Sequence, residues 1–202
     1  MLLIKSKYKI AKRLGAGVFE KTQTQKFALS EARAKKPRGG RGGSDYGRQL
    51  LEKQKVRFTY GLSEKQLSSY AAAAFEEKDP SAALNKALEM RADMAVYNAG
   101  LALTRRAARQ IVSHGHILIN GTRITTPSHR VRKGDVISVR EGSKTSPLFA
   151  GLSDPDNEPG RSVPKWISFD VSKLAAEIKD EPMFDSATTG LDYATVFEFY
   201  SR

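Results

Sequence analysis

Arginine stands at positions 105, 106 and 109, shortly after Thr104, and guanidinium groups at this spacing can bind phosphate oxygens. Thr104 is a good N-cap, so the pattern predicts a helix that begins at Arg105 and ends at Gly115. The N-terminus of a helix already favours anions through its free N–H groups and its dipole. The stretch therefore favours binding of a nucleic-acid backbone, although on an isolated helix the same arginines would more often form a solvated face.

The residues around these arginines predict how they are held. The helix has a second, apolar side at helical spacing, made of Ala108, Ile111 and Val112. Beyond Gly115, an alternating stretch is followed by Asn120-Gly121, the strongest short signal for a β-hairpin. We predict that this helix and hairpin contact RNA through Arg105, Arg106, Arg109, Ser113, His114, His116, Asn120 and Arg123.

The same segment resembles the S4 RNA-binding domain family. In that family a Thr-Arg pair opens a helix, and Ala-Arg-Gln, His-Gly-His and Asn-Gly follow in this order. All of these occur here, at Thr104-Arg105, Ala108-Arg109-Gln110, His114-Gly115-His116 and Asn120-Gly121, and the match continues through Pro127-Ser128, Val131, Gly134-Asp135 and the strand Val136 to Val139. The resemblance implies a module of short helices and a small antiparallel sheet that binds RNA.

The composition agrees with a polyanionic partner. The chain has 202 residues, no cysteine and a formal net charge of +12. Nucleic acid and an anionic membrane are the two partners that such a charge suggests. No apolar run is long enough to span a bilayer, and residues 1–14 lack the apolar core of a signal peptide. The absence of cysteine excludes disulfides and thiolate metal sites, which suits the cytosol.

The charge is concentrated in two blocks. Residues 1–61 carry 16 basic and 4 acidic groups, and residues 91–144 carry 10 basic and 3 acidic groups. Residues 62–90 have a net charge of −2, and residues 145–202 have a net charge of −5. A membrane-surface protein would more often place its lysines on one amphipathic helix, so two basic blocks favour a folded RNA.

The first basic block begins with a segment, residues 1–43, that predicts an extended, partly disordered arm with little core of its own. Its glycine-rich end, residues 35–43, is a flexible linker or a stretch that folds along RNA as it binds. It is not a phosphate-binding loop of the NTPase kind, because no Gly-Lys-Ser/Thr follows. In this arm we predict RNA contacts by Lys35, Lys36, Arg38 and Arg41.

Helices follow the arm. Ser44 caps a predicted helix from Asp45 to about Tyr60, Ser63 and Gln66 form a capping box for a second, and Asp79-Pro80 opens a third. The aromatic residues of the second helix lie on a regular apolar stripe, which indicates core rather than base stacking. On the first helix we predict RNA contacts by Arg48, Lys53, Lys55 and Arg57.

Residues 44–61 are similar to bacterial-type S4 ribosomal proteins of the small subunit, as are residues 166–170 and 198–202. This resemblance implies primary binding of 16S ribosomal RNA, nucleation of the subunit body and a role in translational accuracy. It also implies contacts with neighbouring ribosomal proteins, S5 among them, and with messenger RNA, in a cytoplasmic or plastid ribosome. Asn98 and Met94 depart from the family pattern and weaken any RNA contact by their helix. The cysteine cluster of some members is absent, so we expect no metal and no cofactor.

These observations predict an α+β protein with three parts. The parts are the basic arm 1–43, a helical domain 44–90 that is completed by about residues 178–202, and an S4 domain of the αL type with a strand-rich extension over 91–177. We expect residues 166–170 to form a strand that closes the RNA-binding domain.

Catalytic alternatives find little support in the sequence. His114, His116 and His129 lack a nearby carboxylate or cysteine that would complete a metal site, and the acidic residues 154–158 lack a distal glutamate for calcium. An RNA-modifying enzyme with an S4 domain, such as a pseudouridine synthase or a methyltransferase, would need a catalytic domain that the sequence does not show. A ribosome-rescue RNA binder would not explain the helix after Ser44. We therefore expect no catalytic residues and no membrane partner.

Overall fold

The structure is a computed structural model that describes residues 4, 6–33, 44–150, 152 and 163–201. The chain forms two compact units, one made of Met1–Leu84 and Phe184–Arg202, the other of Asn85–Met183. The helices are α1 Lys7–Leu14, α2 Gln25–Ala32, α3 Asp45–Thr59, α4 Glu64–Phe75, α5 Pro80–Glu89, α6 Ala92–Asn98, α7 Arg105–Ser113, α8 Glu141–Lys144, α9 Pro147–Ala150, α10 Ser186–Thr189 and α11 Tyr193–Tyr200. The strands are β1 Ile117–Ile119, β2 Thr122–Ile124, β3 Val136–Val139, β4 Ile167–Asp170 and β5 Ala175–Ile178.

The first unit is helical and is closed by the C-terminal segment. The hydroxyl of Ser44 accepts from the backbone N–H of Gly47 at the start of α3, and Ser63 forms the predicted capping box at the start of α4. Helix α11 returns to pack against α3 and α4. The hydroxyls of Tyr60 and Tyr193 lie 3.1 Å apart in this buried contact. The prediction that the C-terminal segment completes the helical domain is confirmed.

The described part of the predicted arm differs from the expectation of an extended segment. Residues 6–33 form α1 and α2, joined by two 3₁₀ turns, Ala16–Val18 and Glu20–Thr22. Ala11, Val18, Phe19 and Phe27 form a small core between these elements, and Phe58 of α3 packs against it. The sequence pattern did not indicate this core, because its few apolar residues are spread between lysines. The glycine-rich end of the arm lies outside the described residues.

The second unit is built on an antiparallel sheet of five strands in the order β2-β1-β3-β5-β4. Ile117 pairs with Ile124 in the predicted hairpin and with Val139 on its other side. Helices α6 and α7 pack against each other, and their apolar residues join those of the sheet in one core. The predicted closing strand is β4, which pairs with β5 at the edge of the sheet. The α+β fold class is thus confirmed.

The bounds of the two units differ from those expected from the sequence. Residues 85–90 and 178–183 belong to the second unit rather than to the helical domain. Ile178 shows why, because it lies on β5, pairs with Ile167 and is fully buried. Strand pairing therefore extends the second unit beyond the residues that the sequence assigned to it.

Candidate nucleic-acid interface

Helix α7 is fixed at its start by its cap and along one side by its apolar residues. The Thr104 hydroxyl accepts from the backbone N–H of Ala107 at 3.1 Å, as the sequence predicts. Ala108, Ile111 and Val112 are buried in the core of the second unit. The remaining side of the helix carries the arginines, and each of them has a different environment.

Only one of the three arginines is fully presented to solvent. Arg106 is exposed, and its side chain has no hydrogen bond or ion pair with the described residues. The Arg105 guanidinium lies over the ring of Tyr97, 4.5 Å from its centroid, and Nη1 donates to the Tyr97 hydroxyl at 3.4 Å. Tyr97 thus holds Arg105 in one orientation while leaving it partly accessible. Both residues suit the binding of an anion near the start of the helix.

Arg109 has a structural partner. Its Nε donates to Oδ2 of Asp93 at 2.9 Å, and Asp93 is 0% exposed. Arg91 binds the same carboxylate with two hydrogen bonds, of 3.0 Å from Nε and 2.8 Å from Nη2, and is itself 2% exposed. Asp93 therefore joins α6 to α7. The sequence reasoning missed Asp93, although an aspartate within the apolar stretch 92–97 is a signal that a cationic partner must be near.

The turn between α7 and β1 is a second part of the candidate nucleic-acid interface. Gly115 has a φ of +70°, which glycine adopts without strain. Arg123 of β2 reaches back to this turn, where Nε donates to the carbonyl of Gly115 at 3.2 Å and Nη2 donates to that of His114 at 3.2 Å. A Cβ at position 115 would lie 2.3 Å from Nε of Arg123. The positive φ therefore favours glycine here, and any side chain at this position would displace the guanidinium that caps the helix.

His114, Arg123 and Arg140 lie around His116 at this turn. Nδ1 of His116 and Oγ of Ser143 form a hydrogen bond of 2.9 Å. Burial lowers the pKa of His116, and the positive charges of His114, Arg140 and Arg123 lower it further. Those three residues are exposed, so the turn presents several cationic or protonatable groups to solvent. Arg140 was not predicted, because it lies beyond the motif and joins the turn only through the pairing of β1 with β3.

Two other predicted contacts take part in local structure. Asn120 has a φ of 50°, its Nδ2 donates to Asp135 at 2.8 Å, and its Oδ1 accepts from the backbone N–H of Val136 at 2.9 Å. Its side chain thus joins the hairpin to β3, a role different from the predicted RNA contact. Ser113 is exposed, and its hydroxyl donates to the carbonyl of Arg109 at 2.8 Å.

The basic residues of α3 are not equivalent. Arg48 is exposed. Lys53 is only 6% exposed, its ammonium donates to Glu64 at 2.8 Å, and it lies 4.1 Å from the centroid of the Phe199 ring. This is a correction to the prediction that Lys53 binds RNA, because its position on the inner side of α3 places it under α11.

The other two basic residues of α3 are partly exposed. Lys55 forms an ion pair of 3.5 Å with Glu52. Arg57 donates from Nε to the carbonyl of Leu62 at 3.3 Å. Their partners lie in the chain itself, so they offer less free charge than Arg48. The four predicted contacts of the arm, Lys35, Lys36, Arg38 and Arg41, lie outside the described residues.

The arrangement as a whole is suited to binding and offers no constellation for catalysis. Within the described ranges, no three His, Cys, Asp or Glu side chains come together in a way that could hold a metal ion. None of the described helices has the length and the apolar run needed to cross a bilayer. An arginine-bearing helix, a glycine turn and a hairpin on a small sheet define an RNA-binding module rather than an active site.

Comparison with known proteins identifies this module. The S4 domain model matches residues 90–137, and the model of the ribosomal protein S4/S9 N-terminal domain matches residues 3–90. Over 161 residues the chain is 45% identical to the small ribosomal subunit protein uS4 of Lactococcus lactis subsp. cremoris strain MG1363, covering 79% of this chain and 77% of the relative. The uS4 proteins of Streptococcus agalactiae (serotype Ia) and Streptococcus thermophilus (strain CNRZ 1066) are 45% and 46% identical with the same coverage.

The chain belongs to the uS4 family of small ribosomal subunit proteins. It is thus a structural constituent of the ribosome and not an enzyme. The alternative of an RNA-modifying enzyme that carries an S4 domain is not favoured, since the N-terminal half of the chain matches a ribosomal domain.

Proposed function

We propose that the chain is a primary binder of 16S ribosomal RNA and holds the RNA on the exposed side of α7 and of the turn that follows it. The observation that carries this proposal is the cluster of exposed His114, Arg123 and Arg140 around the turn after α7, together with the exposed Arg106 on α7 itself. Guanidinium groups bind phosphates in a bidentate manner, and the start of α7 adds free N–H groups. Arg105, held by Tyr97, adds a further donor at the same end of the helix.

The proposed mechanism is positional rather than chemical. Contacts to phosphates fix the register and orientation of an RNA helix without reading its bases, and the shape of the folded RNA provides selectivity. Basic groups on α3, α7 and β2 can hold different RNA segments at once. A protein that fixes several RNA helices in one geometry would nucleate the assembly of the subunit body, and we propose this role here.

The proposal also covers the protein partner of the C-terminal segment and the cellular location of the chain. The acidic C-terminal third, with a net charge of −5 over residues 145–202, is poorly suited to phosphate and well suited to a basic protein neighbour. We propose that this neighbour is ribosomal protein S5, and that the chain contributes to translational accuracy and lies near the path of messenger RNA. The proposed location is the ribosome of the cytoplasm or of a plastid stroma.

Salt dependence tests the proposal directly. Each phosphate that the protein neutralises contributes about −0.7 to −0.9 to the slope of log K against log salt concentration. Several contacts predict a slope steeper than about −4 for the full chain on its 16S RNA. A nearly flat titration by filter binding would contradict an electrostatic interface.

A tethered probe tests the place of the contact. The chain contains no cysteine, so Arg106→Cys would carry the only thiol and could be labelled with an iron chelate that cleaves nearby RNA. We expect strong cleavage at a few clustered nucleotides, and weak or no cleavage from Glu76→Cys, an exposed control that directly follows α4. Equal cleavage from both positions would place the RNA elsewhere.

Stoichiometric co-purification with small subunits would separate a ribosomal constituent from a ribosome-rescue factor.

A further inference from the structure

Cationic and protonatable residues surround the imidazole of His116, which is itself only partly exposed. His114 stands at the end of α7, and its ring centroid lies 6.0 Å from that of His116. Arg123 comes from β2, and its Nη2 donates to the carbonyl of His114 at 3.2 Å. Arg140 follows β3, and its backbone N–H donates to the carbonyl of His116 at 2.8 Å. A single turn therefore brings two histidines and two arginines together.

The side of His116 that faces the fold meets uncharged groups. Its Nδ1 and Oγ of Ser143 in α8 form a hydrogen bond of 2.9 Å, and Ser143 is buried. The buried ring of Phe149 in α9 lies 6.2 Å from the imidazole, at an angle of 68°. The charged residues of α8, Glu141 and Lys144, form an ion pair of 2.9 Å with each other. The described neighbours of His116 therefore hold its ring but give it no counter-charge.

The hydrogen bond between His116 and Ser143 is compatible with both protonation states of the imidazole. A serine hydroxyl can donate to Nδ1 of the neutral ring, and it can accept from Nδ1–H of the imidazolium. The gain of a proton therefore leaves this buried hydrogen bond intact. The second ring nitrogen, Nε2, forms no hydrogen bond within the described part of the chain, and in the imidazolium it is a donor for an external anion.

The free protein disfavours this second proton. Burial lowers the pKa of His116 below its ordinary value of 6.5, and the charges of His114, Arg140 and Arg123 lower it further. A phosphate bound by Arg123 and Arg140 would bring a negative charge to the same place and offset these positive charges. A nearby opposite charge favours the charged form of a titratable group.

We propose that His116 takes up a proton when an RNA phosphate binds beside Arg123 and Arg140, so that RNA binding at this turn is coupled to pH. The imidazolium then donates from Nε2 to the phosphate, while Nδ1–H donates to Ser143. The inference rests on the proposed function, because the phosphate belongs to the ribosomal RNA that the chain binds. His116 is thus a contact that depends on pH, whereas the arginines keep their charge throughout.

The direction of the effect follows from the linkage between the proton and the RNA. His116 binds its proton more tightly in the complex than in the free protein, so the complex gains stability as the pH falls. The gain is complete below the pKa of the free protein and is lost as the pH rises through the pKa of the complex. An opposite charge close to the imidazole favours its protonated form about tenfold or more, so the affinity for RNA should rise about tenfold between about pH 7.5 and about pH 5.5.

Filter binding of the full chain to 16S RNA, at a constant salt concentration and a series of pH values, tests this coupling. His116→Gln keeps a side chain that forms hydrogen bonds but cannot take up a proton, and it should lose the rise in affinity toward acid. His129→Gln is a matched control that should keep the rise, because it makes the same change at an exposed histidine between β2 and β3. Circular dichroism shows whether each variant remains folded.

Calorimetry gives a second measurement that needs no variant. When binding takes up protons, the heat of binding depends on the ionisation enthalpy of the buffer, so titrations in several buffers count the protons. At a pH near 6.5, the ordinary pKa of histidine, we expect the wild type and His129→Gln to take up as much as about one proton. His116→Gln should take up less.

The outcomes distinguish the inference from the proposed function. An affinity independent of pH, with a steep salt slope and no proton uptake, would overturn the coupling alone. A flat salt slope would overturn the proposed function as well. Equal rises in the wild type and His116→Gln would show that the RNA or another residue takes up the proton. A rise that is lost in His114→Gln but kept in His116→Gln would move the proton to the neighbouring histidine and overturn the assignment.

Discussion

Arg109, which the sequence places among the phosphate-binding arginines, donates its Nε at 2.9 Å to the fully buried carboxylate of Asp93. The same carboxylate accepts two hydrogen bonds from Arg91, so one aspartate is shared by two guanidinium groups. The shared carboxylate fixes α7 relative to α6. The helix that carries Arg106 to the surface is therefore oriented by its own neighbour Arg109.

Removal of Asp93 should destabilise the protein strongly. Asp93→Ala leaves two guanidinium groups without their carboxylate in a buried site, and breaking such a pair costs about 3–5 kcal/mol. Urea unfolding should show this loss in the free energy of unfolding. Asp93→Asn keeps the shape and some hydrogen bonds and should lose less. A loss below about 1 kcal/mol in Asp93→Ala would contradict the structural role of this carboxylate.

Arg106 and Arg109 should respond differently to the same substitution. Arg106→Gln should leave the free energy of unfolding within about 0.5 kcal/mol of the wild type, because the residue is exposed, but should weaken RNA binding. A lost charge-assisted contact predicts a loss of about 1.5–3 kcal/mol in binding. Arg109→Gln should mainly lower stability. Equal effects of the two variants on both stability and affinity would refute the separation.

Gly115→Ala should affect both the backbone and Arg123. A residue with a Cβ at φ +70° is disfavoured by about 1–2 kcal/mol. The added methyl also displaces the guanidinium of Arg123 from the carbonyls of His114 and Gly115. We expect lower stability and weaker RNA binding. In a double-mutant cycle, Gly115→Ala should cost less stability in an Arg123→Ala background, because the guanidinium that the methyl displaces is then absent. Strictly additive losses would show that the contact between residue 115 and Arg123 is unimportant.

Lys53 should contribute to stability rather than to RNA binding. Its ammonium is buried between Glu64 and the ring of Phe199. Lys53→Met keeps most of the length of the side chain but removes the charge, and a hydrogen bond to a charged group is worth about 1.5–3 kcal/mol. Chemical unfolding should report a loss in this range, while filter binding should report an unchanged affinity. Arg48→Gln, on the exposed side of the same helix, should give the opposite pattern.

Stability should fall in acid partly through Glu64. Burial raises the pKa of Glu64, but hydrogen bonds from Lys53 and Tyr200 and the charges of Lys53 and Arg57 outweigh it, so that the pKa lies below its ordinary value. A lowered pKa means that this contribution is present above the unfolded-state value of 4.5 and is lost as the pH falls through the folded-state value.

The variant Glu64→Gln isolates this contribution. At pH 7 it should be less stable than the wild type by about 1 kcal/mol, since the partly exposed carboxylate is screened by solvent. The difference in stability between the two proteins should shrink as the pH falls and the Glu64 carboxylate becomes protonated. Thermal unfolding of both proteins between pH 7 and pH 3 measures it. A difference that stays constant across this range would show that the ionised carboxylate does not stabilise the fold.

Local signals predicted many elements correctly because they act over a few residues. The caps at Ser44, Ser63 and Thr104, and the hairpin at Asn120-Gly121, depend on neighbours within one turn, and all of them are present in the structure. Strand β5 carried no such signal. Its two alanines have a weak preference for strands, and only pairing with β3 and β4 gives the segment its conformation.

The sequence by itself determined the fold class, the family and the presence of cationic residues around α7. Only the tertiary structure decided which of those cations are presented to a partner. The sign of each side chain's charge follows from the sequence, but the burial of that side chain depends on contacts between residues far apart in the chain. Asp93 engages Arg109 and α11 covers Lys53, whereas the pairing of β1 with β3 brings Arg140 beside His116.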